Sequence, residues 1–181
     1  MIAALFVRSR SHYKTMPGVD CYDEKRNALT FQGGTPGVYH PPCRGWGKLS
    51  HMSKHQASEL DLARWSMRMV RQFGGVVEHP THSRLWAESG CFSFGIRDDF
   101  GGILVPVYQS WWGHRAPKQT SLYMIGVNAP DIGRPDGLPG AVSGLVENMC
   151  KAERESTPPL FAQWLVQLAQ SVRVLQCPPI S

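Results

Sequence analysis

Two short segments carry side chains that together could attack an electron-poor ring. Tyr39-His40-Pro41-Pro42-Cys43 is an apolar run ending in a thiol. The second, Val76-Val77-Glu78-His79-Pro80, ends in a carboxylate 35 positions beyond that thiol. Proline holds both endings, and a cysteine with a neighbouring acid is equipment for nucleophilic addition to an activated ring or carbonyl. In an α/β sheet, chemistry gathers at the carboxyl ends of neighbouring strands, so the two segments are expected to share one site. Cys43 is the candidate nucleophile. The thiolate is the attacking form, and Arg44, His40 and Lys48 are expected to lower the thiol pKa; the plainer alternative is a small buried hydrophobe. Glu78, leaving a buried strand, is expected to have its pKa raised by desolvation and to act as proton donor or hydrogen-bond partner. Its plainer alternative is a carboxylate that caps the next turn or pairs with Arg84.

The stretch from Gln109 through Ser110, Trp111, Trp112, Gly113, His114, Arg115, Ala116 and Pro117 to Lys118 mixes aromatic faces, cations and an amide. That mixture suits phosphate contact and base stacking, with Arg115 the leading residue; the alternative is a hairpin loop with its tryptophans folded onto the core. The histidines also invite a metal reading. His51 and His55 have helical spacing and His79 and His82 lie close, but no H-E-x-x-H, paired-cysteine or third-ligand pattern accompanies them. The deaminase signature is absent as well, and no metal is expected.

The elements that must position these residues follow from the hydrophobic pattern. Ile2–Val7, Val19–Tyr22, Gly37–His40, Val76–Glu78, Leu104–Gln109 and Ser121–Val127 read as strands. Leu60, Ala63, Met67 and Val70 recur at helical spacing, which predicts a helix from about Ala57 to Phe73, ended by Gly74-Gly75. Its place between two strands predicts a parallel crossover. Thr157-Pro158-Pro159 starts a final helix to about Ser171, with proline in the first turn. Residues 128–157 are expected to be a flexible loop rich in proline and glycine.

At 181 residues the chain is expected to be one α/β domain covering residues 1–181. A hydrophobic content of 42% argues against disorder. The net charge of +5 is compatible with a polyanionic partner without requiring one. Five scattered cysteines (Cys21, Cys43, Cys91, Cys150 and Cys177) form no C-x-x-C pair, which argues for a reducing, cytoplasmic setting over a disulfide framework. The apolar run after Met1 is too short for a signal peptide or a membrane span.

Taken together, Pro42-Cys43, Glu78-His79-Pro80 and the Gln109 to Arg115 stretch resemble the cytosine-5 DNA methyltransferase family, and more closely small phage-type proteins that share its core. That family has a Pro-Cys nucleophile loop, a Glu-Asn-Val strand end and a Gln-x-Arg-x-Arg strand, in this order. The resemblance implies a seven-strand, Rossmann-like methyltransferase sheet, mostly parallel, with an antiparallel strand near the C-terminus. It implies that Cys43 attacks carbon-6 of a flipped cytosine in DNA, that Glu78 holds the ring nitrogen and the exocyclic amine, and that Arg115 holds the Cys43 loop or the base oxygen. Arg44, His79, Gln109, Trp111, Trp112, His114 and Lys118 would contact the nucleic acid or base. Asp20, Asp23 and Pro41 would lie at an S-adenosylmethionine site, the two acids near its ribose.

Three departures from the family stand in the sequence. No glycine occurs before Gly18, where the family has a glycine-rich donor loop after its first strand; Arg44 replaces the glutamine after the nucleophile; His79 replaces the asparagine after the glutamate. There is no room for the usual target-recognition domain beyond the proline- and glycine-rich Asn128–Gly144 loop, so sequence specificity is expected to be minimal or to come from a protein partner. The competing reading is a non-catalytic DNA-binding protein that keeps the fold and modulates a host modification or defence system. A metal-dependent hydrolase is the third, and it lacks a carboxylate cluster.

Overall fold

The computed structural model describes residues 1–47, 56–127 and 142–172. Its strands are β1 (Ile2–Leu5), β2 (Val19–Tyr22), β3 (Gly37–Tyr39), β4 (Gly75–Pro80), β5 (Ile103–Tyr108) and β6 (Gln119–Ile125). They form one sheet in the order β2-β1-β3-β4-β6-β5. β1 to β4 are mutually parallel, and β6 runs antiparallel to both of its neighbours. Among the described residues there are six strands, where the resemblance implies seven.

The strands are apolar on both sides because both faces are covered, as parallel sheets require. Ala3, Leu5, Tyr39, Val77, Tyr123 and Ile125 pack against Ala63, Met67 and Val70 of α1 (Ala57–Phe73). Ile2, Ala4, Val38, Val76, Leu122 and Met124 pack on the other face against Phe161, Ala162, Leu165 and Ala169 of the last helix (Pro159–Gln170). Alternate residues along each strand therefore serve opposite cores. The predicted crossover from β3 through α1 to β4 is present.

α1 ends where the Gly74 N–H bonds to the Val70 carbonyl with Gly74 at φ 78°, a conformation that favours glycine. Gly75 follows at φ 116°, and a Cβ there would meet the Gly37 carbonyl oxygen at 2.0 Å. The glycine pair thus ends the helix and lets β4 lie directly against β3. Among the described residues three further α-helices follow: α2 (Arg84–Glu88), α3 (Lys151–Arg154) and the last helix, α4 (Pro159–Gln170). α3 and the turn at Val146–Asn148 fall within the stretch expected to be a loop. Met149 is buried between them, which gives this part of the segment an apolar anchor that the proline and glycine content masked. His51, His55 and Lys48 lie outside the described residues. Among the described residues, no helix is long and apolar enough to cross a membrane.

Candidate functional site

β3 stops because of its sequence. The His40 N–H still bonds to the Leu5 carbonyl, but Pro41 and Pro42 carry no N–H to continue the ladder. The chain then turns: the Trp46 N–H bonds to the Cys43 carbonyl at 3.0 Å, and Trp46 is buried. The connection from β4 to α2 holds this turn from the other side. The Arg84 N–H bonds to the Trp46 carbonyl at 3.1 Å, and the Arg84 guanidinium donates to the Gly45 carbonyl at 2.9 Å. Cys43 is left exposed at the tip. Pro41 is buried beneath it.

On β4, adjacent and parallel, Glu78 points into a ring of donors. His40 Nδ1 lies 2.9 Å from Glu78 Oε2. Gln109 Nε2 donates to Oε1 at 3.1 Å, and the Thr120 hydroxyl donates to the same oxygen. Desolvation opposes ionisation of this carboxyl. The hydrogen bond and charge of His40, the charge of Lys118 and the Thr120 hydroxyl outweigh it, and bring the pKa down to about 2. The expectation of a raised Glu78 pKa is therefore corrected. Burial alone would raise it, but the donors come with the burial, and Glu78 stands as a carboxylate that accepts rather than donates.

The expectation for Cys43 reverses too. Desolvation pushes its thiol above the ordinary value, and the charges of Glu78 and Glu155 push the same way, against Lys118. The sulfur is exposed on one side, yet its remaining surroundings exclude enough water to disfavour the thiolate. Arg44, expected to lower the thiol pKa, bonds instead to Glu59 of α1 at 2.9 Å.

Residues that the sequence did not single out complete the constellation. Tyr13, from a 3-10 turn at His12–Thr15 and almost fully buried, places its hydroxyl 2.9 Å from His40 Nε2. Burial holds its phenol well above the ordinary range, so the hydroxyl keeps its proton. The His40 ring thus bridges the Tyr13 hydroxyl and the Glu78 carboxylate. Thr120 is the other addition, delivered by its register opposite Pro80 on the β4–β6 ladder. His40, expected to act on the Cys43 thiol, instead bonds to Glu78 and Tyr13. Tyr13 and Thr120 carry no local signal.

The remaining expected residues divide. Gln109 joins the site, and Lys118 is close enough for its charge to act on both Glu78 and Cys43. His79 does not face a ligand. It is 1% exposed, packs edge-on against Trp86, and places Nε2 a long 3.5 Å from the Pro42 carbonyl. Desolvation lowers its pKa to about 4. Strand alternation turns residue 79 away from the face that residue 78 occupies, so His79 supports the Cys43 turn from behind. Trp112 is buried on Phe161 and Trp164, with ring centroids 5.0 and 4.4 Å away, and half-buried Trp111 packs against Tyr108 and Trp112. His114 is buried and bonds within its own loop to Ala116. The tryptophans thus serve the core, because the helical turn at Gln109–Trp112 rolls them onto α4. Arg115 does not reach the Cys43 loop in this arrangement; it forms a two-pronged ion pair with Glu153, at 2.9 and 3.0 Å.

The acids expected around S-adenosylmethionine are engaged within the chain. Both Asp20 oxygens are taken by the Arg26 guanidinium. Asp23 is bound by Lys14 and by the backbone N–H groups of Lys25 and Arg26, which hold its pKa at about 2. Asp23 is nearly saturated by these three donors, whereas Asp20 is part-exposed and keeps acceptor positions beyond its two bonds to Arg26. The chain leaves β1 through Phe6 at φ 60°, a side-chain-bearing residue where a close backbone approach needs glycine. Two cavities lie elsewhere: about 150 Å³ near Cys91, Asp98 and Tyr123, and about 350 Å³ between the His12–Pro17 segment and α4. Neither is lined by Cys43 or Glu78. Among the described residues, no three His, Cys, Asp or Glu side chains stand together as a metal site.

Comparison with protein-family models, curated proteins and solved structures finds no match.

Proposed function

We propose that the chain binds DNA and receives an unstacked cytosine between Cys43 and Glu78, where the thiol adds reversibly to carbon-6 of the ring. The reading rests on one observation: a partly buried carboxylate, held ionised by His40, Gln109 and Thr120, stands beside an exposed cysteine on the neighbouring parallel strand end. A carboxylate offers about four acceptor positions. Three are occupied, and the vacancy is on Oε2, which has His40 as its protein donor. An exocyclic amine is a donor that matches it, whereas the carbonyl at the same position of thymine would face the carboxylate with like polarity. The antiparallel β6 beside four parallel strands supports the methyltransferase-like finer reading of the sheet.

The step balances without a cofactor. The sulfur–carbon-6 bond forms, the carbon-5–carbon-6 π pair moves to carbon-5, and carbon-5 takes a proton equivalent to the one sulfur loses. Reversal restores cytosine. The negative charge of Glu78 raises the thiol pKa in the free protein, so an amine-bearing ring that offsets this charge favours the thiolate when the site is filled. Methyl transfer from S-adenosylmethionine enters no step of this addition.

Phe6, standing where a donor loop after β1 would need glycine, and the raised thiol pKa favour a second reading: a non-catalytic DNA-binding protein with a methyltransferase-like sheet. Intact-mass analysis separates the two. The protein is incubated with an oligonucleotide carrying 5-azacytosine, which keeps the amine and is more electrophilic at carbon-6. The covalent reading expects an adduct at Cys43 that is absent from Cys43→Ala. DNA binding without any adduct would leave the second reading alone.

A further inference from the structure

Three cations hold the same short segment, and one of them, Lys118, lies close enough to the candidate site for its charge to act on Glu78 and Cys43. Arg8, after β1, donates to the Ala152 carbonyl at 2.8 Å and lies 3.5 Å from Glu155. Arg115 forks onto both oxygens of Glu153. Lys118 donates to the Ser156 carbonyl at 3.4 Å. The segment is therefore drawn from two sides onto the rim of the cleft. Its negative charge reaches the reactive group, since Glu155 is among the charges that disfavour the Cys43 thiolate.

The forked contact of Arg115 with Glu153 has the geometry that a guanidinium uses for a phosphate. Arg115 and Glu153 are 53% and 36% exposed, Arg8 and Glu155 48% and 43%. Pairs this exposed are weak and exchange readily. A polyanion that offers several phosphates and releases counterions competes well against them. Taken with the reading of the cleft as a DNA site, on which this inference rests, the arrangement describes a phosphate-binding row already filled by two carboxylates and two backbone carbonyls of the same chain.

We propose that Arg8, Arg115 and Lys118 form the DNA-backbone contact surface of this protein, and that residues 152–156 cover it as an internal phosphate mimic that DNA must displace. Binding then uncovers the cleft as it engages the backbone. It also removes the Glu155 charge from Cys43.

The test compares wild type, Glu153→Gln/Glu155→Gln and the control Glu24→Gln/Asp99→Asn. The control removes the same charge at two exposed positions elsewhere. Binding of a fluorescent cytosine-containing duplex is followed by anisotropy at low and moderate salt. Alkylation of Cys43 by iodoacetamide is followed by peptide mass. The inference expects the Glu153/Glu155 variant to bind roughly three- to tenfold tighter than the control and to alkylate faster at Cys43. If wild type and control bind but the Glu153/Glu155 variant binds no tighter than the control, the cover is refuted while the DNA reading stands. If none of the three binds at low salt, the DNA reading fails and this inference falls with it.

Discussion

Glu78 carries a signature that can be measured without any ligand. Its pKa falls from an ordinary 4.5 to about 2 in the folded chain. One pKa unit is worth about 1.4 kcal/mol, so the donors around this carboxylate contribute about 3 kcal/mol to stability at neutral pH. Because the folded value is the lower one, that contribution is complete above the unfolded pKa and is lost as pH falls through the folded pKa. Between about pH 6 and about pH 3 the loss should come to about 2 kcal/mol. Glu78→Gln keeps the shape and cannot titrate. Asp23, also held at about 2, titrates in both proteins and cancels in the difference. Urea unfolding of both proteins across this range should show wild type more stable at neutral pH, with the gap closing by about 2 kcal/mol toward about pH 3. A gap that widens on acidification would mean that desolvation beats the donors, and the description of Glu78 as a clamped carboxylate would be wrong.

Glu78→Gln should also speed iodoacetamide alkylation of Cys43 at mildly alkaline pH and shift its pH midpoint downward, because the Glu78 charge disfavours the thiolate; an unchanged midpoint would show that the two groups are not coupled. Gly75→Ala should cost about 3 kcal/mol or more in urea unfolding, since the new methyl meets the Gly37 carbonyl at 2.0 Å and the backbone holds φ at 116°; wild-type stability would remove the close approach of β3 and β4. Phe161→Ala should cost about 3–5 kcal/mol, as Phe161 is fully buried against Trp112 and Trp164; a cost below about 1 kcal/mol would place α4 elsewhere.

Much of the sheet was legible because local rules and tertiary structure agree. The stripe from Leu60 to Val70 and the Gly74-Gly75 stop predicted α1 with the bounds it has. Consecutive prolines after His40 marked the end of β3. Other features depended on distant partners. Glu78 could be seen leaving a buried strand, but the sign of its pKa shift is set by residues 38, 31 and 42 positions away. No local pattern reports Tyr13 beside His40. The tryptophans at 111 and 112 looked like a stacking surface because their composition says nothing of direction, and α4 decides it. Arg44 and Arg115 stood near the right segments in sequence, and acidic partners on α1 and α3 claim both. α2 and α3 are too short for periodicity to reveal.

The central claim is that Cys43 adds to cytosine carbon-6 with Glu78 beside it, and the most direct measurement is hydrogen exchange at cytosine carbon-5. DNA is incubated with the protein in deuterium oxide without any methyl donor, then digested, and its cytosine nucleosides are weighed. Reversible addition predicts deuterium at carbon-5 with wild type and none above background with Cys43→Ala. DNA that is bound, by wild type as by the variant, while its cytosines take up no deuterium would contradict the claim.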